Sequence, residues 1–352
     1  MNQNNSIKWT DAATLTIEGK GWTDTVHFYD RFPAKAKAMV NETLWKLSRY
    51  SAGIAVRFIS DSPAIHARWK LEYPQLGLTH MPATGVSGVD LYVRHQGRLR
   101  WLATGFPLAV ENESELRTGM TREMREYALY LPIYNAVESV EIGIADGSDI
   151  QTAPPRKPAT KPVVFYGTSI LHGISCSRPG MAYPSIIGRK LDIQTINLGF
   201  AGSAKCEKEV SDLLAELDPS VYVIDCMPNM DIDDIDQRLR YLMSKLKRTR
   251  PETPVILVEE AQRQWMFMYP DEPQNTTARN LIQKQVYEDC VDDWNGRLYY
   301  IECHTLLNDD GEQTVDGTHP TDLGLCTMAK IIAPVIGRVI SCQEKSNDRY
   351  TG

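Results

Sequence analysis

A serine at the tip of an apolar run, and a histidine three residues after an aspartate, are the residue types that acyl transfer needs. Gly167-Thr168-Ser169-Ile170 follows directly on Val163-Val164-Phe165-Tyr166, and Asp316-Gly317-Thr318-His319-Pro320 precedes an apolar helical pattern near the C-terminus. A serine hydroxyl is a weak nucleophile alone. A histidine within reach, itself held by a carboxylate, takes its proton as it attacks a carbonyl. Ser169 is therefore the candidate nucleophile, His319 the candidate base and Asp316 the residue that would orient the imidazole.

Groups 150 residues apart need a scaffold to bring them together. From residue 163 onward, strand-like runs at 163–166, 194–198, 221–225, 255–258 and 298–302 alternate with helical patterns near 182–191, 206–217, 235–249, 277–294 and 321–341. Compact apolar strands alternating with helices predict a parallel sheet between two helical layers. Such sheets bind ligands beyond the carboxyl ends of their strands. Ser169, Gly202, Asn229 and Glu259 each stand just past such an end, and so converge on one rim. Each also has an ordinary reading: Ser169 as a helix cap, Asp316 and His319 as a capping motif, Gly199 and Gly202 as a tight turn, Asn229 as a turn residue.

The first half differs. Residues 14–18, 54–58, 65–69, 89–93 and 137–142 alternate apolar with polar side chains, the pattern of an antiparallel sandwich or jelly roll. Gln151 to Pro162 holds four prolines and no apolar period, which suits a linker. The expected organisation is a β-domain over 1–152, a Pro-rich linker over 153–162 and an α/β domain over 163–345. All seven cysteines lie after residue 170, whereas five of the seven tryptophans lie before it.

Composition narrows the function classes. A net charge of −7 argues against a nucleic-acid partner. The spacing of the seven cysteines suits no disulfide scaffold, and no Cys-x-x-Cys, His-Glu-x-x-His, EF-hand, dinucleotide or Walker motif occurs, so neither metal nor cofactor is expected. No apolar run approaches the roughly 20 residues that span a bilayer. Met1 to Asn5 lack the basic start and apolar core of a signal peptide; a mature periplasmic or secreted form and a cytoplasmic one both stay open. His172 is expected to pack locally, Glu259 and Glu260 to be solvated or paired, and Cys226 to be a buried apolar residue. The tryptophans of the first half suit core packing as well as a sugar-stacking platform.

Taken in order, these residues resemble the four sequence blocks of the SGNH (GDSL-like) hydrolases. Those blocks contribute a Ser, a Gly, an Asn and an Asp-x-x-His; here they match Ser169, Gly202, Asn229, and Asp316 with His319. Thr168 replaces the aspartate of Gly-Asp-Ser, and Met227-Pro228-Asn229-Met230 keeps only the asparagine of the third block. Upstream, Gly88-Val89-Asp90-Leu91-Tyr92 resembles the GxDLY signature of a β-domain that precedes some bacterial SGNH esterases. No Gly-x-Ser-x-Gly elbow occurs.

The resemblance implies a three-layer α/β/α, flavodoxin-like fold and a serine esterase working through an acyl-Ser169 intermediate. The N–H groups of Ser169 and Gly202 and the Asn229 amide would form the oxyanion hole. The implied substrate is an O-acyl ester, acetyl on carbohydrate above others, taken as a small molecule or a polymer. A lysophospholipase or thioesterase, and a non-catalytic carbohydrate-binding protein, are the alternatives.

Overall fold

The computed structural model describes residues 6–156, 161–269 and 275–348. Met1 to Asn5, on which the absence of a leader was read, lie outside the described residues, as do residues 157–160 of the expected linker.

Up to Thr152 the strands pair antiparallel in two sheets. One runs in the order β1 (Ile7–Asp11), β9 (Val137–Ala145), β4 (Ile65–Leu71), β7 (Glu111–Arg117). The other runs β10 (Ile150–Thr152), β3 (Ala55–Ser60), β8 (Arg125–Tyr130), β5 (Val89–His95), β6 (Arg98–Gly105), with β2 (Thr16–Glu18) also on β3. Val56, Phe58, Leu91 and Leu129 meet Ala67, Trp69, Val140 and Ile142 in a shared core. This is a β-sandwich. The strand expected at 14–18 is shortened by a turn at Ala12–Thr14. Five strands went unforeseen: β1, β6, β7, β8 and β10. Of these, β7 reads Glu-Asn-Glu-Ser-Glu-Leu-Arg at a sheet edge, where water on one side removes the apolar alternation that marks a strand.

Between β2 and β3 the chain leaves the sandwich. This excursion carries α1 (Glu42–Ser48) and packs Phe32, Ala36 and Leu44 into the core of the second half. The short α2 (Ala83–Val86) brings Val86 into the other side of that core.

From Val163 a five-stranded parallel sheet runs β12 (Thr195–Gly199), β11 (Val163–Gly167), β13 (Val221–Asp225), β14 (Val255–Val258), β15 (Leu298–Ile301). Six helices cover it: α3 (Ser169–His172), α4 (Tyr183–Leu191), α5 (Lys208–Leu214), α6 (Ile232–Thr249), α7 (Asn275–Cys290) and α8 (Asp322–Asp348). Alternation sorts each strand between two layers. Val164 and Tyr166 pack with Leu213, Leu239 and Leu242, while Val163 and Phe165 pack with Ile187, Ile332 and Ile336. The result is a three-layer α/β/α unit whose strand order reverses at β11, so the residues after β11 sit where such sheets bind ligands.

One helix bears on the expected absence of a membrane span. Asp322–Gln343 of α8 is long and apolar enough, by length and composition, to cross a membrane. Lys330 and Arg338 interrupt the run and hid it from a search for unbroken apolar sequence. Leu325, Met328, Ala329, Ile332, Ala333, Ile336 and Val339, spaced three or four apart, are buried in the core beneath the sheet.

Candidate active site

β11 ends at Gly167, where only glycine fits: a Cβ there would lie 2.2 Å from the Asp225 carbonyl oxygen of the neighbouring strand. Thr168 then donates its N–H to that same carbonyl (3.1 Å), and the chain turns at once into α3. Ser169 opens this single turn, largely buried, and Gly173 ends it at φ 110°. Parallel register puts Gly167 level with Gly199 on β12 and with Asp225 on β13. The loops after these three strands therefore leave the sheet side by side.

The histidine comes from the far end of the chain. Asp316 Oδ1 accepts the backbone N–H groups of Thr318 (2.9 Å) and His319 (2.8 Å), and Oδ2 accepts His319 Nδ1–H at 2.7 Å. With the proton on Nδ1, Nε2 is the lone-pair nitrogen, and the Ser169 hydroxyl lies 3.0 Å from it. Burial pushes the Asp316 carboxyl upward, but the His319 and Thr318 N–H groups and the imidazole outweigh it and hold the group at about 2. It is therefore ionised at neutral pH. Gly317, between the two residues, has φ 83°, and a Cβ there would strike the Trp265 indole at 2.3 Å.

Gly202 and Asn229 join on the opposite side. The Phe200 N–H donates to the Gly167 carbonyl (2.8 Å), which ties the loop after β12 to the end of β11. Asn229 Nδ2 donates to the Phe200 carbonyl at 3.2 Å, leaving its second amide hydrogen uncommitted. Among the described residues, the N–H groups of Ser169 and Gly202 have no acceptor in the protein. Gly202 sits at φ 67° with nothing within 4 Å of its Cβ position. The left-handed backbone therefore favours glycine there, rather than the crowding a side chain would bring.

All five candidate residues thus meet at one rim, and the rest fall elsewhere. His172 is buried, stacked on Tyr134 at 4.2 Å, with burial and then Arg31 pulling its pKa well down. Glu259 accepts from the Tyr300 hydroxyl and the Cys303 N–H, both at 2.7 Å. Glu260 pairs with Arg279 at 3.0 Å. Cys226 is buried against Cys206, their sulfurs 3.0 Å apart. Of the first-half tryptophans, Trp69 is buried and donates to the Ser87 carbonyl, while Trp101 is half-exposed.

Sequence reasoning did not name the partners of the GxDLY segment. Asp90 is fully buried and accepts Arg178 Nη1 (2.7 Å) and the Gly180 N–H (3.0 Å). Arg178 also donates to the Tyr92 hydroxyl at 2.5 Å. The motif thus grips the loop that follows α3. It also missed Arg31 and Trp265, which carry no motif.

Comparison with known proteins agrees with this geometry. Residues 160–337 match the model of the GDSL-like lipase/acylhydrolase family, and residues 7–150 match the N-terminus of SGNH-hydrolase-type esterases. A crystal structure from Bacteroides ovatus, named for a GDSL-like lipase, is 33% identical, with a TM-score of 0.88 over 96% of this chain and 98% of that one. A salicylyl-acyltransferase from a tetracycline biosynthetic pathway is 15% identical, with a TM-score of 0.74 over 94% and 97%. An acetyl xylan esterase from the rumen bacterium Butyrivibrio proteoclasticus is 12% identical, with a TM-score of 0.59 over 95% and 99%. No protein of curated function matches in sequence. Taken with the ordered Ser, Gly, Asn and Asp-x-x-His positions on one rim, the match shows that this chain belongs to the GDSL-like lipase/acylhydrolase family and is an SGNH-type ester hydrolase.

Proposed function

We propose that the protein removes short O-acyl groups, acetyl above all, from carbohydrate through an acyl-Ser169 intermediate. The observation that carries the reading is the unbroken relay from the Ser169 hydroxyl to His319 Nε2 (3.0 Å) and from Nδ1–H to Asp316 (2.7 Å). In this reading His319 takes the Ser169 proton as Oγ attacks the ester carbonyl. The oxyanion is met by the free N–H groups of Ser169 and Gly202 and by the uncommitted Asn229 amide hydrogen. His319 then returns the proton to the leaving sugar oxygen, and water repeats the cycle on the acyl-enzyme. Asp316, ionised throughout, keeps the imidazole in the Nδ1–H tautomer and stabilises its cation.

The carbohydrate half of the reading is supported by the surroundings of His319. Trp265 lies against Gly317 and is part-exposed, and Phe267 beside it is 78% exposed. Aromatic faces next to the leaving-group side of the site suit a sugar ring. The name of the acetyl xylan esterase points the same way. Rates on acetyl, butyryl and octanoyl esters, followed by acetate release from acetylated polysaccharides, test the proposal. Acetyl esters should be preferred and polysaccharide acetate released; a rate that climbs with chain length would favour a lysophospholipase or thioesterase instead.

A further inference from the structure

Beneath the rim, three fully buried polar residues from three parts of the chain form a closed group. Arg31, from the excursion between β2 and β3, is 1% exposed. Its Nη1 donates to the carbonyls of Asn197 (2.9 Å) and Gly199 (2.8 Å), at the end of β12. Its Nε donates to the Tyr50 carbonyl and its Nη2 to the Leu47 carbonyl, both at 2.7 Å. Nη2 also packs 3.3 Å from His172 Nε2, in the last residue of α3, whose ring N–H donates to the Ile133 carbonyl at 3.0 Å. The Asn197 amide closes the ring: it donates to the Leu171 carbonyl of α3 (3.0 Å), and its oxygen accepts the Gly199 N–H (2.9 Å).

We propose that Arg31 is a positioning residue for ester hydrolysis, its guanidinium fixing the nucleophile turn α3 against the loop that carries Gly202. The inference rests on the proposed roles of Ser169 and Gly202. Those roles require the Ser169 Oγ and the Gly202 N–H, on two separate loops, to keep one spacing while the carbonyl carbon becomes tetrahedral. The carbonyls of Asn197 and Gly199 end β12, from which the Gly202 loop leaves, the His172 ring ends α3, and a single planar fork touches all three. Only Arg offers donors in that fixed geometry.

The site also has an electrostatic side. Among the described residues Arg31 makes no ion pair; its partners are carbonyls, an imidazole and the Phe200 ring, 4.7 Å from the guanidinium. Burial lowers its pKa to about 9, so the group is cationic at neutral pH. A positive charge held under Phe200 favours negative charge on the loop side where the oxyanion would form.

The test compares Arg31→Met, Arg31→Lys and the packing control Leu44→Ala. Leu44 lies in the same interface and is an apolar core side chain. Each is assayed for kcat and KM on an acetyl ester, for thermal midpoint, and for the rate at which a p-nitrophenyl phosphonate labels Ser169. The 31P shift of the resulting adduct reads the oxyanion hole directly. Arg31→Lys, which keeps charge and stem but loses the fork, should stay folded and lose roughly 10- to 100-fold in kcat and labelling rate, with KM within about twofold. Its 31P signal should move, whereas that of Leu44→Ala should not, even where its midpoint falls as far. Arg31→Met should lose at least as much as Arg31→Lys; should it fail to fold, Arg31→Lys decides alone. Wild-type kcat and 31P shift in folded Arg31→Lys, or equal kcat losses in Leu44→Ala, would overturn the proposal. A wild type that neither turns over the ester nor takes the label would instead refute the ester-hydrolase roles of Ser169 and His319.

Discussion

At Asp316 three N–H groups converge on one carboxylate, and this separates its role from that of Asn229. Replacing Ser169 by Ala should abolish turnover by several orders of magnitude while circular dichroism stays unchanged, because the covalent step has no other acceptor for the acyl group. Asn229→Ala should lower kcat by about 100- to 1000-fold with little change in KM, since an oxyanion donor acts mainly in the transition state. Asp316→Asn should lower kcat too, through loss of the tautomer that points Nε2 at Ser169. The two differ in pH dependence. Asp316 is held at about 2, so it remains ionised across the working range and its own protonation sets no limb of the profile. Removing the anion makes the imidazolium less favourable, so the acid limb should move to lower pH in Asp316→Asn and stay in place in Asn229→Ala. A kcat profile measured from pH 4.5 to 9 checks both.

At the scale of elements, β13 carries a buried cost behind the nucleophile. Asp225 is fully buried at its end. Desolvation raises its pKa; the hydrogen bond from the Tyr183 hydroxyl (2.8 Å) lowers it and Glu260 raises it further, to about 7. A carboxyl whose folded value lies above its unfolded one binds its proton longer when folded. Stability from this group is therefore greatest at low pH and falls as pH rises from the ordinary aspartate range to about 7. Asp225→Asn, whose amide oxygen still accepts from Tyr183, should be more stable than wild type at pH 8 and not at pH 4.5, as read by urea midpoints. The GxDLY strand β5 makes a second element-scale prediction. Asp90→Ala strands the buried Gly180 N–H and leaves the partly exposed Arg178 with one partner fewer, and should cost about 1 to 3 kcal/mol. Urea unfolding of the purified variant measures it.

Across the whole molecule, the sandwich and the α/β unit share their cores. Phe32, Ala36 and Leu44 complete one side of the parallel sheet, and Met81, Val86 and Ile133 the other. Asp192 pairs with Arg94 (2.9 Å) and Arg156 (2.7 Å), so the last described residue before the 157–160 stretch is anchored to the hydrolase half. A fragment of residues 161–352 would expose the apolar seats of those six side chains. It should be insoluble or bind a hydrophobic dye strongly, and should lack activity even on a small acetyl ester. Expression of the fragment beside the full chain gives the comparison.

Much of this was legible from the chain because it depends on local chemistry. The apolar runs at 163–166 and 221–225 read as buried strands because a parallel sheet covered on both faces has no polar alternation to confuse them. Ser169, Gly202 and Asn229 were found because strand–loop–helix order puts residues after strand ends on one rim, and Asp316 and His319 because their three-residue spacing matches the last of the family's ordered blocks. The reason for glycine at 202, by contrast, needed the backbone: its φ of 67° cannot be read from composition. The polar edge strand β7 escaped because its partners, not its own residues, make it a strand. Arg31 escaped for the same reason on a larger scale. Its donors are answered by carbonyls at 47, 50, 197 and 199, and backbone carbonyls leave no trace in sequence. Residue types along the chain determined which chemistry was possible; only the tertiary structure decided which backbone groups would hold it in place, because a hydrogen bond to a carbonyl depends on where the chain passes and not on which residue passes there.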